Sequence, residues 1–174
     1  ETRSLTYHYA NQLAQAGEYV PDIMLAGGVT FEDQIFKGLA LGAPYVKGVG
    51  MARSPMAAAM VGKTIGKRID EGQIPVYVER FGNAVDEIFI TGPELKRKYG
   101  ERFKDLPTGA IGVYTYFARL SQGLRQLMAG ARKFALHYIT RDDIAAITKD
   151  AANTSGIPYI LDVDKDEVAK ILKG

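Results

Sequence analysis

The sequence predicts an α/β fold over its first seventy residues and a mainly helical remainder. Three observations carry this expectation. Residues 22–26 and 45–49 are short apolar runs bounded by turn residues, the pattern of buried parallel strands. Around and between them, apolar residues recur at helical spacing. Beyond residue 72 no comparable strand pair recurs, and helical patterns take over.

Residues 4–15 read as a helix, with Leu5, Tyr9, Leu13 and Ala16 at helical spacing and Gly17 as its end. Pro21 precedes the first strand. Thr30 starts the next helix: Thr30-x-x-Asp33 matches a capping box, and Ile35, Phe36, Leu39 and Ala40 form the apolar face. Gly42 sits where a C-cap glycine belongs. In the second strand, strict alternation sets Tyr45, Lys47 and Val49 on one face. Ser54-Pro55 then opens a helix as N-cap and first helical residue, and Asp70-Glu71-Gly72 closes it. The order through residue 70 is αβαβα.

In the remainder, residues 76–81 read as a short strand or irregular segment, and 85–90 and 94–99 as short helices. Pro107-Thr108-Gly109 marks a loop. Residues 114–138 form a long apolar helical pattern, with Gly123 and Gly130 as close-packing points and Tyr114, Tyr116 and Phe117 packing between helices. Thr140-x-x-Asp143 caps a helix running to about Ala152, and residues 159–163 read as a strand. Asp164-x-x-Glu167 opens a last helix to Leu172. The expected division is 1–72 for the strand-bearing part and 73–174 for a helical C-terminal extension.

Composition narrows the function classes. With 22 Lys+Arg against 20 Asp+Glu, a net charge of +2 gives no reason to invoke nucleic acid or an anionic membrane surface. No apolar run reaches membrane-spanning length. The chain contains no cysteine, which removes disulfides, thiolate catalysis and Cys-ligated iron–sulfur clusters within it and fits a reducing, cytoplasmic setting. It opens at Glu1 without a basic-then-apolar leader, as a processed or cut chain would.

Two glycine loops follow the two predicted strands. A phosphate dianion needs several hydrogen-bond donors with little bulk around them, and backbone N–H groups of glycine loops meet both needs. Gly27 and Gly28 follow the first strand; Gly48 and Gly50 do the same at the second. Ser54 opens the following helix, whose N-terminus adds positive dipole. In (β/α)8 barrels a phosphate site is frequently built from the loops after strands seven and eight plus a helix N-terminus. Lys47, inside the second strand, is a candidate for a flavin or substrate-anion contact, or for a Schiff-base lysine; the bland alternative is a bond to a nearby carbonyl. Arg53 either clamps a phosphate or caps a loop.

The stretch LAGGVTFEDQIFKGLALGAPYVKGVGMAR resembles the strand-seven to strand-eight segment of FMN-dependent (β/α)8 barrels, most of all the FMN-binding domain of the glutamate synthase large subunit family. The matching pattern is Ala26-Gly27-Gly28, an acid at Asp33, Lys37, Ala40-Leu41-Gly42-Ala43, and a Gly-rich strand end. Residues 7–16 resemble that family's helix six, and residues 120–147 its tail. The resemblance implies the C-terminal portion of a TIM barrel, its last two strands, followed by a helical extension. It implies FMN, with the phosphate held by backbone N–H groups of Gly27, Gly28, Gly50 and Met51. It also implies glutamate formation from 2-oxoglutarate and glutamine-derived ammonia in complete relatives. Two departures stand beside it. The family ends strand eight with one glycine before Thr or Arg, whereas this chain reads Gly48-Val49-Gly50-Met51. The family carries three cysteines after strand eight for a 3Fe–4S cluster, and this chain has none.

Other motifs fail on their own terms. Gly62-Lys63-Thr64 lacks the first glycine of a Walker A loop, since Ala57 stands there. Asp162-x-Asp164-x-Asp166 would need Gly and Glu where Glu167 and Lys173 stand, so no calcium loop or other metal site is expected. His8 and His137 read as structural. No catalytic residue is assigned. A barrel needs eight strands, so the chain is expected to be the last part of one. Its exposed strand edges then predict self-association or a complementary barrel fragment. Two alternatives remain: a phosphate-binding barrel lyase or isomerase with Lys47 as nucleophile, and an inactive structural fragment.

Overall fold

A computed structural model of the chain describes residues 2–173, with residues 2–4 described by their backbone only. It is a mixed α/β structure with two parallel strands among the described residues. The opening follows the expected order: α1 Thr2–Gln15, β1 Ile23–Ala26, α2 Glu32–Gly42, β2 Val46–Gly50 and α3 Arg53–Asp70. Short helices α4 Val76–Glu79, α5 Val85–Ile88 and α6 Gly92–Tyr99 follow, then the long α7 Thr108–Gly130, then α8 Lys149–Ser155 and α9 Lys165–Lys173. The chain forms two compact units. One joins the residues up to Gly50 with those from Leu124 onward; the other is Met51–Gly123. The expected boundary at residue 72 does not coincide with either junction.

The first unit is built on α2 and the strand pair. Phe36, Leu39 and Ala40 are buried with Met128 and Ile139, and Val46, Val49, Leu124 and Ile144 pack against them. Burying a side chain such as Phe36 contributes roughly 1.5–3 kcal/mol. Gly42 ends α2, but not as a left-handed cap: the capping residue is Ala43, in extended conformation. Glycine is needed for space, because a Cβ there would stand 2.1 Å from Val46 Cγ2.

The second unit has its own core of Ile65, Val78, Phe89, Leu95 and Ile111. Here α3 meets the start of α7 through small residues. A Cβ on Gly62 would stand 2.6 Å from the Thr108 carbonyl oxygen, and one on Gly112 2.6 Å from that of Ala58. The one buried polar side chain among the described residues that this core encloses, Thr91, meets the Thr115 hydroxyl at 2.6 Å.

Several expected elements differ. The α2 cap falls one residue later than Thr30-x-x-Asp33. Gln34 Oε1 accepts from the backbone N–H groups of Thr30 and Phe31 at 2.7 and 3.2 Å. Phe31 has no side-chain acceptor, so the box is half made, and Asp33 instead pairs with Lys37 at 2.6 Å. The N-cap of α3 is Ala52, so Ser54 and Pro55 lie inside its first turn. Residues 76–81 form the short helix α4 rather than a strand. Thr108 and Gly109 already belong to α7, which ends at Gly130, not 138. The close-packing glycines of α7 are Gly109 and Gly112; Gly130 has nothing within 4 Å of a Cβ position. Tyr114 and Phe117 are exposed, and Tyr114 donates to Glu94 at 3.0 Å.

Asp143 does accept from the Thr140 backbone at 2.7 Å, but that cap opens only a 3-10 turn, Arg141–Asp143, and α8 starts separately. Residues 159–163 make a single parallel bridge, Ala146 to Tyr159, and then turn. One bridge between isolated segments does not extend because no second strand lies alongside.

Candidate functional site

Strands β1 and β2 run parallel and in a register that aligns Ala26 with Gly50. The loop Gly27-Gly28 therefore leaves β1 beside the end of β2. Both glycines have positive φ, +89° and +68°. That conformation by itself calls for glycine at 27 and 28, with or without a ligand. No described atom lies within 4 Å of a Cβ position on Gly27, and both glycines are exposed. On Gly50 a Cβ would make only ordinary contact, 3.5 Å from Ala26 Cβ. The ends of the two parallel strands thus carry a stretch of backbone with little side-chain bulk around it.

Not every candidate joins this group. Gly48 pairs with Met24, whose side chain crosses it: a Cβ there would stand 2.6 Å from Met24 Cε. Its missing side chain makes room for methionine. Met51 and Arg53 belong to the second unit, where Arg53 is exposed at the first position of α3.

Lys47 is displaced for a different reason. The ladder pairs Ile23 with Val46 but Met24 with Gly48, so Lys47 is an extra residue between them. Such a bulge breaks the side-chain alternation. Val46 and Val49, three apart, consequently both pack on the first core. The expectation that Tyr45, Lys47 and Val49 share one face is thus corrected. Lys47 Nζ donates to the Pro44 carbonyl oxygen at 2.9 Å, the bland reading weighed for it. At about 3.3 Å per residue, Lys47 lies roughly 10 Å back along β2 from Gly50.

The strand faces also differ from expectation. β1 alternates half-buried and exposed residues, with Met24 63% exposed. A doubly covered parallel strand would bury both faces; α2 covers only one here.

One residue that the sequence did not single out organises the first unit. Arg141 lies over the Tyr7 ring, 3.8 Å from its centroid, and donates to the carbonyl oxygens of Leu41 and Ser155, each at 2.5 Å. It ties α1 to the ends of α2 and α8. Its hydrogen-bond partner Leu41 is 100 residues away, and no local motif marks such a residue.

The hydrogen bond from Lys37 holds Asp33 below its ordinary pKa, and that from Lys96 does the same to Asp86. Among the described residues no His, Asp or Glu cluster could hold a metal ion, and no helix is long and apolar enough to cross a membrane. No family model, curated protein or solved structure matches the chain.

Proposed function

We propose that the glycine-bearing strand ends bind the phosphate of FMN, as part of an FMN-dependent oxidoreductase resembling glutamate synthase. The pairing of Ala26 with Gly50 is the observation that carries the reading, since it sets Gly27 and Gly28 beside the end of β2. Backbone N–H groups of Gly27, Gly28 and Gly50 are the proposed donors, and the missing side chains allow close approach. Bound FMN supplies hydride or electron transfer; the residues of this chain hold and orient it. The proposed reaction is glutamate formation from 2-oxoglutarate and ammonia released from glutamine. With no cysteine, the chain supplies no thiolate to an iron–sulfur cluster. The TIM-barrel reading is part of this proposal and is supported by the βαβ unit β1–α2–β2. Among the described residues β1 and β2 pair only with each other, and the free edges support self-association or a complementary strand-bearing piece.

Titration with FMN, followed by flavin fluorescence, tests the assignment. FMN is expected to bind saturably, and riboflavin, which lacks the phosphate, at least about tenfold more weakly. Gly27→Val is expected to weaken FMN toward the riboflavin level. Riboflavin binding as tightly as FMN would sink the proposal.

A further inference from the structure

A cavity lies in the first unit, at the start of β2, away from the glycine-bearing end. It encloses about 240 Å³. Leu39, Ala43, Val46 and Ile139 supply its apolar wall, and Lys47 and His137 also line it. Leu39, Ala43 and Ile139 are all under a tenth exposed, so the wall is part of the core. Lys47 and His137 are exposed and therefore stand at the rim. No aspartate or glutamate lines the cavity.

We propose that this cavity binds a short-chain monocarboxylate, with the carboxylate at Lys47 and His137 and the hydrocarbon tail against the Leu39, Val46 and Ile139 wall. The chemistry follows from the lining. An ammonium has three N–H donors. Lys47 commits one to the Pro44 carbonyl oxygen at 2.9 Å, which fixes its position and leaves two for a ligand. Neutral imidazole adds one more donor. Charge-assisted bonds from an ammonium to a carboxylate are about twice as strong as neutral ones. Water against an apolar wall finds few partners, so a hydrocarbon tail displaces it favourably. Size sets the limit: the volume equals about eight waters of liquid, enough for a branched four- or five-carbon acid. A phosphate ester would meet too few donors and too much apolar wall.

The bulge at Lys47 is what creates the site. Regular alternation would carry position 47 and position 49 to the same face, whereas the extra residue sends Val46 and Val49 to the core and leaves Lys47 at the rim. The proposal does not depend on FMN, because the cavity uses none of the glycines 27, 28 or 50.

The test is methyl NMR with 3-methylbutanoate as the probe and 3-methylbutan-1-ol as a neutral control carrying the same tail. The acid is expected to shift the methyl signals of Leu39, Ala43, Val46 and Ile139 saturably, with a Kd of about 1 mM. Signals of Ile65 and Ile111, in the other core, should stay still. The alcohol should bind at least about fivefold more weakly, and Lys47→Met should bring the acid down to the alcohol's level. Equal binding of acid and alcohol to the wild-type chain would overturn the proposal, and so would shifts in both cores or none. That comparison requires no variant, so a poorly folded Lys47→Met leaves the proposal decidable.

Discussion

Two groups of glycines, one taken from each unit, meet opposite surroundings. In the second, Gly62, Gly109 and Gly112 are filled in from outside: neighbouring backbone occupies the space a Cβ would need. In the first, Gly27 and Gly28 hold positive φ, and the space beside Gly27 is open. Gly62, Gly109 and Gly112 are therefore needed for packing, whereas Gly27 and Gly28 are needed for a turn. Each unit also holds glycines of the other kind, Gly42 and Gly48 packed in the first and Gly72 and Gly100 open at positive φ in the second. What surrounds a missing side chain distinguishes a packing glycine from a turn glycine.

Substitutions of decreasing effect test this contrast. The two cores set the largest scale. Phe36→Ala in the first and Ile111→Ala in the second should each cost about 3–5 kcal/mol in urea unfolding, since both side chains are buried. A loss under about 1 kcal/mol at either would show that the core in question is not the one described. Gly62→Ala should cost about 3 kcal/mol, because the new methyl meets the Thr108 backbone and not a movable side chain. Arg141→Leu removes the guanidinium from over Tyr7 and takes the donor away from the carbonyls of Leu41 and Ser155; about 2 kcal/mol is expected.

Gly27→Ala should cost only about 1–2 kcal/mol, from backbone strain at φ +89° without collision, while FMN affinity falls by more than stability does. Equal costs at Gly62 and Gly27 would erase the distinction between a packed glycine and an open one.

The smallest effect is a pH dependence. Lys96 donates to Asp86 at 2.6 Å, which lowers the Asp86 pKa from 3.8 and raises that of Lys96 from 10.5. Stability from the lowered acid is present above pH 3.8 and is lost as pH falls through the folded value. Stability from the raised base is present below pH 10.5 and is lost as pH rises through its folded value. Asp86→Asn should therefore lower the urea midpoint slightly at pH 7, with the deficit shrinking as pH falls through the folded Asp86 value. A deficit that does not shrink on acidification would show that something other than this pair was lost.

Much of the first unit was legible in advance. The αβαβα order, the apolar face of Phe36, Leu39 and Ala40, and the parallel pairing all follow from periodicity and turn residues. The cap of α2 was misread by one residue, because Gln34 and Asp33 are both able to cap and only the backbone path chooses. Residues 76–81 and 159–163 look like strands by composition, yet a strand exists only where a partner edge is available. The start of α7 was hidden by Pro107-Thr108-Gly109, read as a loop; Gly109 is helical because Ala59 packs against it.

The candidate site divides the same way. Gly27 and Gly28 announce a tight turn by residue type alone. The register of Ala26 with Gly50 does not follow from local pattern, because it depends on the slip at Lys47, and neither do the fates of Gly48 and Lys47. Gly48 accommodates Met24 across the ladder, and the bulge moves Lys47 to a cavity shared with His137, ninety residues further on.

By itself the sequence determined the αβαβα order of the first seventy residues, the turn glycines at 27 and 28, and which apolar face of α2 seeks burial. Those are properties of neighbours along the chain: backbone sterics and a periodicity of 3.6 or 2. Only the tertiary structure decided which glycines are packed against and which stand open, where the ladder slips by one residue, and that Arg141 closes the first unit. These depend on atoms brought together from distant parts of the chain, and no local pattern encodes which of them will meet.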